Sequence, residues 1–227
     1  METPLGKALL AEAVGTFTLI FIGAGSILAD HLTAGKVGLT GIALAHGLAI
    51  GTMVLALGAS SGGHFNPAVT LGFLMSGRLA TARALAYMAA QLIGASIAAL
   101  LLTVSFPEAT RTAVHLGTPA LATGVTPGVG IVLEAVLTFL LVFVIFGTAV
   151  DPRGPRMVAG LAIGLVITMD ILAGGVLTGA AMNPARAFGP ALVSNFWDNH
   201  YVYWIGPFVG AGVAALVYQR GLLDMRG

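Results

Sequence analysis

The sequence contains no cysteine, and charged side chains make up only 8% of its 227 residues. Without cysteine there can be no disulfide, thiolate metal site or thiol nucleophile. A soluble domain carries about 25% charged residues, so this chain is too poor in charge to cover a water-facing surface. The net charge is +1 and the basic residues form no cluster, which leaves no nucleic-acid-binding face. Strict alternation of apolar and polar residues, which a transmembrane barrel needs, is missing as well. Low-complexity segments are also absent.

What remains is apolar: 57% of the residues are hydrophobic. A helix needs about 20 apolar residues to cross the hydrocarbon core, and six runs qualify, near 8–29, 38–58, 84–105, 128–149, 157–176 and 201–219. The chain therefore reads as an all-α integral membrane protein. The first run follows Lys7, carries Glu12 and shows no small-residue cleavage site, so it is expected to be retained as a span. An even number of spans puts both termini on one side. Lys7, Arg78, Arg83, Arg153, Arg156, Arg220 and Arg226 fall on that side, against Lys36 and Arg111 on the other. The positive-inside rule then makes both termini cytoplasmic, and the expected location is the cell membrane.

The two halves of the chain resemble each other. "LLAEAVGTFTLIF" (9–21) aligns with "IVLEAVLTFLLVF" (131–143), which superposes Glu12 on Glu134. "GLAIG" occurs at 47–51 and at 160–164, and "YMAAQLIGASIAAL" (87–100) matches "YWIGPFVGAGVAAL" (203–216). Three matches in the same order indicate an internal duplication. Each half holds an odd number of spans, so the second lies inverted relative to the first. The expected organisation is a single domain over 1–227, with repeats of approximately 1–106 and 127–227 joined by a loop at 107–126. Glycines at 47, 51, 160, 164, 206 and 210 form small-xxx-small patterns suited to close helix packing.

Each half also carries an Asn-Pro-Ala segment after its second span: "GGHFNPAVT" (62–70) and "GAAMNPARA" (179–187). Asparagine is a good N-cap and proline suits the first helical position, so Asn66-Pro67-Ala68 and Asn183-Pro184-Ala185 read as helix starts. The residues around them are too few for a hairpin of two spans and fit a re-entrant loop with a half-helix. Irregular backbone at membrane depth is tolerated where it lines a water-filled cavity. Inversion brings one half-helix in from each face, so the two N-termini meet near the midplane. Their partial positive charges repel a cation, while the asparagine amides can donate to a neutral oxygen. The carbonyls of Gly62, Gly63, His64 and Phe65, and of Gly179, Ala180, Ala181 and Met182, would supply acceptors along a single-file path. A water accepting from both asparagines points its hydrogens outward, which breaks a proton wire.

These motifs, "HFNPAVT" and "MNPARAFGPA" above all, resemble those of the major intrinsic protein family, the aquaporins and glycerol facilitators, and the resemblance covers the chain end to end. It implies a right-handed bundle of six transmembrane helices plus two re-entrant half-helices, one pore per subunit and a homotetramer. Glu12 and Glu134 would be buried struts accepting hydrogen bonds from the two loops. The function implied is a passive water channel that excludes protons and ions, with water, small neutral solutes and the lipid bilayer as its partners and no cofactor, metal or catalytic residue.

In that family four positions set the outer constriction, and counting from the two asparagines places them at His46, Ile171, Ala180 and Arg186. Val69 occupies the place of Arg186 in the first repeat, which makes the filter one-sided. His46 and Arg186 are expected to act as donors to a solute. The set resembles that of plant tonoplast intrinsic proteins, and the room left by Ala180 suggests ammonia or hydrogen peroxide as further solutes. A glycerol or small-solute facilitator is the alternative, against which stand Ala187, Ala191, Tyr203 and Trp204. Asp170, an acid inside the fifth span, is expected to pair with Arg186 or His46. The outer-loop histidine of some relatives has no clear counterpart, His115 being the nearest. A secondary transporter would need an ionisable pair at the midplane, and a hydrolase a nucleophile with its base; neither is evident.

Overall fold

The computed structural model describes residues 3–223; Arg226, counted above among the cytoplasmic residues, lies outside them. Among the described residues there are nine α-helices and no strand. Six are long and apolar enough to cross a membrane: α1 (Leu5–Leu32), α2 (Gly38–Ser61), α4 (Thr81–Ser105), α6 (Pro127–Ile145), α7 (Ala159–Thr178) and α9 (Val202–Gly221). Helix α6 ends in a π-turn over Phe146–Val150. The expected spans are all present, with ends that differ from the apolar runs by up to four residues. The interrupted pair is α3 (Pro67–Met75) and α8 (Pro184–Ser194), of 9 and 11 residues. At 1.5 Å per residue they reach about half of a ~30 Å hydrocarbon core.

Both short helices start as the sequence requires. Asn66 is extended (φ −158°, ψ 122°) and its Oδ1 accepts from the Ala68 N–H at 2.7 Å. Asn183 (φ −149°, ψ 110°) accepts from the Ala185 and Arg186 N–H groups at 2.9 and 3.3 Å. Proline follows each at the first helical position, where no N–H is needed. Helices α2 and α7 end at Gly62 (φ 94°) and Gly179 (φ 82°), left-handed residues that turn the chain into the loops leading to the asparagines.

The long helices pack through small residues, because lipid offers no hydrophobic drive to bring them together and close backbone approach must supply the contact. A β-carbon on Gly51 would stand 2.9 Å from the Gly160 carbonyl oxygen, and one on Gly164 would stand 3.2 Å from the Gly51 Cα, so α2 and α7 cross at the paired "GLAIG" segments. Helices α6 and α9 meet the same way, with Gly206 against Glu134 and Gly210 against Ala135. Gly94 of α4 lies against Ala13 of α1 in the equivalent place. Outward faces carry exposed aliphatics such as Leu10, Leu48, Val132 and Leu165.

The joining segment is more ordered than a simple loop. It holds the short helix α5 (Glu108–Ala113) and a 3-10 turn at His115–Gly117. Its later part returns to the C-terminal end of α7, where the Ala122 N–H donates to the Leu177 carbonyl at 2.9 Å. At the opposite end, Asp151 accepts from Arg153 Nη2 at 2.7 Å and from the Tyr218 hydroxyl at 3.0 Å. Arg153 also donates to the Leu222 carbonyl at 2.6 Å, tying the turn after α6 to the end of α9. The Arg153 hydrogen bonds hold the Asp151 carboxyl well below the usual carboxylate range.

Candidate functional site

The two re-entrant loops are each held by one buried glutamate. Glu12 accepts at Oε1 from the Ser61 hydroxyl (2.6 Å) and the His64 N–H (3.0 Å), and at Oε2 from the Phe65 N–H (2.6 Å) and Gln91 Nε2 (2.7 Å). Glu134 accepts from the Thr178 hydroxyl (2.7 Å), the Ala181 N–H (2.9 Å) and the Met182 N–H (2.7 Å). Both carboxylates are fully buried, and these donors replace the water they have lost. Phe65 (φ 50°) and Met182 (φ 52°) sit in the left-handed region that disfavours a side chain, and each has its N–H held by the glutamate of its own half.

Sequence reasoning missed two further supports. The Tyr87 hydroxyl donates to the Ser61 carbonyl, and the Tyr203 hydroxyl donates to the Thr178 carbonyl, both at 2.9 Å. The aligned tyrosines that open "YMAAQ" and "YWIGP" were the available signal. Gln91, which links Glu12 to the Thr70 hydroxyl at 3.0 Å, has proline as its counterpart in "YWIGP" and so serves the first loop alone.

The loops meet at their asparagines. Asn66 Nδ2 donates to the Met182 carbonyl and Asn183 Nδ2 to the Phe65 carbonyl, each at 2.9 Å. One amide hydrogen of each asparagine is therefore engaged across the junction, and the carbonyls of Phe65 and Met182 are partly occupied rather than free acceptors. Asn66, Asn183, Gly63, His64, Ala181 and Met182 line one cavity. Gly62, Phe65 and Gly179 are not among the residues that line it: the two glycines turn the chain at the helix ends, and the Phe65 ring lies against Gly15. The cavity gives water-sized molecules about 30 Å³ of room, which suits two or three waters. Its lining is otherwise largely aliphatic, with Ile50, Ile163 and Ile167 among the residues.

His46, Ile171, Ala180 and Arg186 line the same cavity, and all four are nearly inaccessible from outside. Val69 lines it too, as the counterpart of Arg186. Arg186 Nη1 donates to the Gly117 carbonyl at 2.8 Å, so the joining segment orients the arginine. His46 Nδ1 lies 2.8 Å from the Ile42 carbonyl oxygen. A carbonyl can only accept, so Nδ1 carries the proton and Nε2 of the neutral ring is an acceptor. This corrects the expectation of two donors: of the two polar residues expected at the constriction, Arg186 is a donor and His46 an acceptor.

The expected pairing of Asp170 is also overturned. Neither carboxylate oxygen has a hydrogen-bond partner, and Asp170 is not among the residues that line the cavity, although its neighbour Ile171 is. Consecutive helical residues point about 100° apart, so an acid next to a lining residue need not reach the cavity. His115 does not line it either; its ring stacks on Phe196 with centroids 3.9 Å apart.

Residues 2–218 match the family model described as "Major intrinsic protein". Aquaporin TIP4-4 of Zea mays is 47% identical over 229 residues, covering 97% of this chain and 88% of that protein. A probable aquaporin, TIP3-2 of Arabidopsis thaliana, is 47% identical over 225 residues, covering 94% of this chain and 82% of its own length. The X-ray structure of the aquaglyceroporin from Plasmodium falciparum superposes with a TM-score of 0.81 at 23% identity, over 96% of this chain and 97% of that one, and shows the same fold. With two glutamate-braced loops joined at paired asparagines, and with relatives alike along nearly their whole length, the chain belongs to the major intrinsic protein family.

Proposed function

We propose that this protein is a passive water channel that excludes protons and other ions. The observation that carries the reading is the reciprocal bonding of Asn66 to Met182 and of Asn183 to Phe65, which fixes two helix N-termini at the centre of a narrow cavity. Each N-terminus contributes about half a positive charge, so a cation meets a barrier there while a neutral oxygen is attracted. Each asparagine lines the cavity and keeps one amide hydrogen that can be offered to a water there, while the aliphatic lining gives water few other partners. Water passes in single file and no chemical step is involved.

The outer constriction is His46, Ile171, Ala180 and Arg186. An acceptor and a donor facing one space suit a small neutral molecule that both gives and takes hydrogen bonds, and the small Ala180 leaves room beside them. Ammonia and hydrogen peroxide are the further solutes of that description. Glycerol passes poorly on this reading.

The organisation proposed is an inverted repeat of approximately 1–106 and 127–227, one pore per subunit in a homotetramer, with both termini cytoplasmic. The matched bonding of Glu12 and Glu134 supports the repeat, and the distribution of basic residues supports the orientation. The location proposed is the cell membrane. The tonoplast designation of the plant relatives names a different membrane, and cell fractionation separates the two.

Stopped-flow light scattering on proteoliposomes tests the function. Osmotic water permeability is expected to rise in proportion to protein density while proton conductance stays at the level of empty vesicles. A proton current that scales with protein, or water permeability equal to that of the bare lipid, overturns the reading.

A further inference from the structure

The ring of His46 leans against α1. One edge is tethered to its own helix by the Nδ1 bond to the Ile42 carbonyl at 2.8 Å. The opposite edge rests on Gly23, where a β-carbon would stand 2.5 Å from Cδ2 and 2.6 Å from Nε2 of the ring. Real β-carbons do not approach other atoms so closely, and close-packed interiors yield little, so any side chain at position 23 must move the ring. Helix α1 cannot simply withdraw, because Glu12 holds the first loop and Ala13 packs on Gly94. With Nδ1 held at Ile42, the direction open to the ring is the cavity it lines.

The next residue of α1 backs the other polar group. Gly117 packs on Ala24, and a β-carbon on Gly117 would stand 2.9 Å from the Ala24 Cβ and 3.0 Å from its Cα. Gly117 also has φ 74°, in the region that favours glycine, and its carbonyl is the one that accepts from Arg186. A single step of α1, Gly23–Ala24, thus stands behind both the acceptor and the donor of the constriction.

We infer that this step is the back wall of the constriction, and that Gly23 is a positioning residue that determines specificity by giving the His46 ring room to recline. The inference rests on the reading of His46 as a constriction residue. It makes the bore depend on a residue that is not among those lining the cavity.

The experiment compares wild type, Gly23→Ala, His46→Ala, the double variant and Gly25→Ala in proteoliposomes, scoring water and ammonia permeability per protein. Gly25 lies two residues along α1, where a β-carbon meets only the Leu102 Cδ2 at 3.4 Å, an ordinary contact. Gly23→Ala is expected to lower water permeability at least about fivefold, the low end of an overpacking cost read as a barrier, and to lower ammonia more than water. Gly25→Ala is expected to match wild type. In the His46→Ala background the ring is gone, so adding Gly23→Ala is expected to change nothing. Equal losses with and without His46, or no loss in the single variant, overturn the inference. Should Gly23→Ala fail to fold, the double variant, which lacks the ring the methyl would strike, is expected to fold and match His46→Ala; its failure overturns the inference too. His46→Ala alone tests the underlying reading: if it leaves the ammonia-to-water ratio unchanged, His46 does not set the constriction.

Discussion

Asn66 and Met182, from opposite halves of the chain, are joined by a 2.9 Å hydrogen bond from Asn66 Nδ2 to the Met182 carbonyl. The Met182 N–H in turn donates to Glu134, and the mirror path runs from Asn183 through Phe65 to Glu12. Each half therefore supports the asparagine of the other. The two loops are mechanically one unit, although they lie about half a chain length apart.

Replacing either asparagine by aspartate breaks this unit at its centre. An ionised carboxylate has no hydrogen to give the opposite carbonyl, and it places negative charge where the two helix N-termini otherwise set a barrier to cations. Asn66→Asp and Asn183→Asp are each expected to lower stability by about 1–3 kcal/mol, through the lost donor and the acceptor left facing it. Each is also expected to admit a proton or cation current absent from the wild type. Vesicle flux assays with a pH-sensitive dye, run beside thermal unfolding, read both effects, and intact proton exclusion in both variants would contradict the barrier argument.

The glutamates are the second test. Glutamine keeps the shape of Glu12 or Glu134 but turns one acceptor oxygen into a donor that faces another donor. Hydrogen bonds to charged groups contribute about 1.5–3 kcal/mol each, so Glu12→Gln and Glu134→Gln are each expected to cost at least one such bond. Water permeability per folded protein falls as the loop loses its anchor. Tyr87→Phe and Tyr203→Phe remove a single neutral bond at each loop and are expected to cost about 1 kcal/mol. A larger loss from the tyrosines than from the glutamates, in unfolding experiments on purified protein, would reverse this ranking.

The sequence made the spans and half-helices legible because both depend on local signals: apolar length for the spans, Asn-Pro for the starts of α3 and α8. The internal repeat extended that reading, since it singled out Glu12 and Glu134 together. Contacts set by orientation were harder to see. Asp170 stands one residue from Ile171, yet its carboxylate reaches neither Arg186 nor His46, because the turn of the helix separates neighbours. The role of His46 as acceptor depends on a bond to its own helix that spacing does not disclose. Gly23 has no side chain to attract notice, and its effect lies in what a side chain there would strike.

A pH response is expected where the chain enters α9. Trp204 Nε1 donates to His200 Nε2 at 3.0 Å, which requires Nε2 to be unprotonated, and burial pushes the His200 imidazole below its ordinary value. The folded state thus prefers neutral His200 more than the unfolded state does. The stability from this preference is fully present above the unfolded value of about 6.5, and is lost as pH falls through the folded value. Acidification from pH 7.5 is therefore expected to alter Trp204 emission in a step that His200→Gln abolishes, with Trp197→Phe isolating the signal. A step that survives His200→Gln would assign it elsewhere.

Asp170 supplies the last prediction. It is 1% exposed, within α7, and no described group donates to either carboxylate oxygen. A buried polar group without a partner costs about 1–3 kcal/mol, and an intramembrane acid is costly whether it stays ionised or takes up a proton. The sequence-based expectation gave it a purpose, holding Arg186 or His46 against the wall, but Arg186 is held by the Gly117 carbonyl and His46 by the Ile42 carbonyl. Both anchors are backbone groups that a change at Asp170 leaves in place. Asp170→Leu replaces the polar group with an apolar one of the same branching and somewhat greater bulk, and is expected to raise thermal stability by no more than the cost above, less what the added bulk takes back. Asp170→Asn is expected to leave the ammonia-to-water permeability ratio at the wild-type value, whereas His46→Phe with Ile171→His, which rebuilds the proposed constriction, is expected to shift it. Unfolding followed by intrinsic fluorescence, together with stopped-flow ratios on the same preparations, separates the possibilities. A destabilised Asp170→Leu, or a ratio altered by Asp170→Asn, would show that the acid supports the constriction after all.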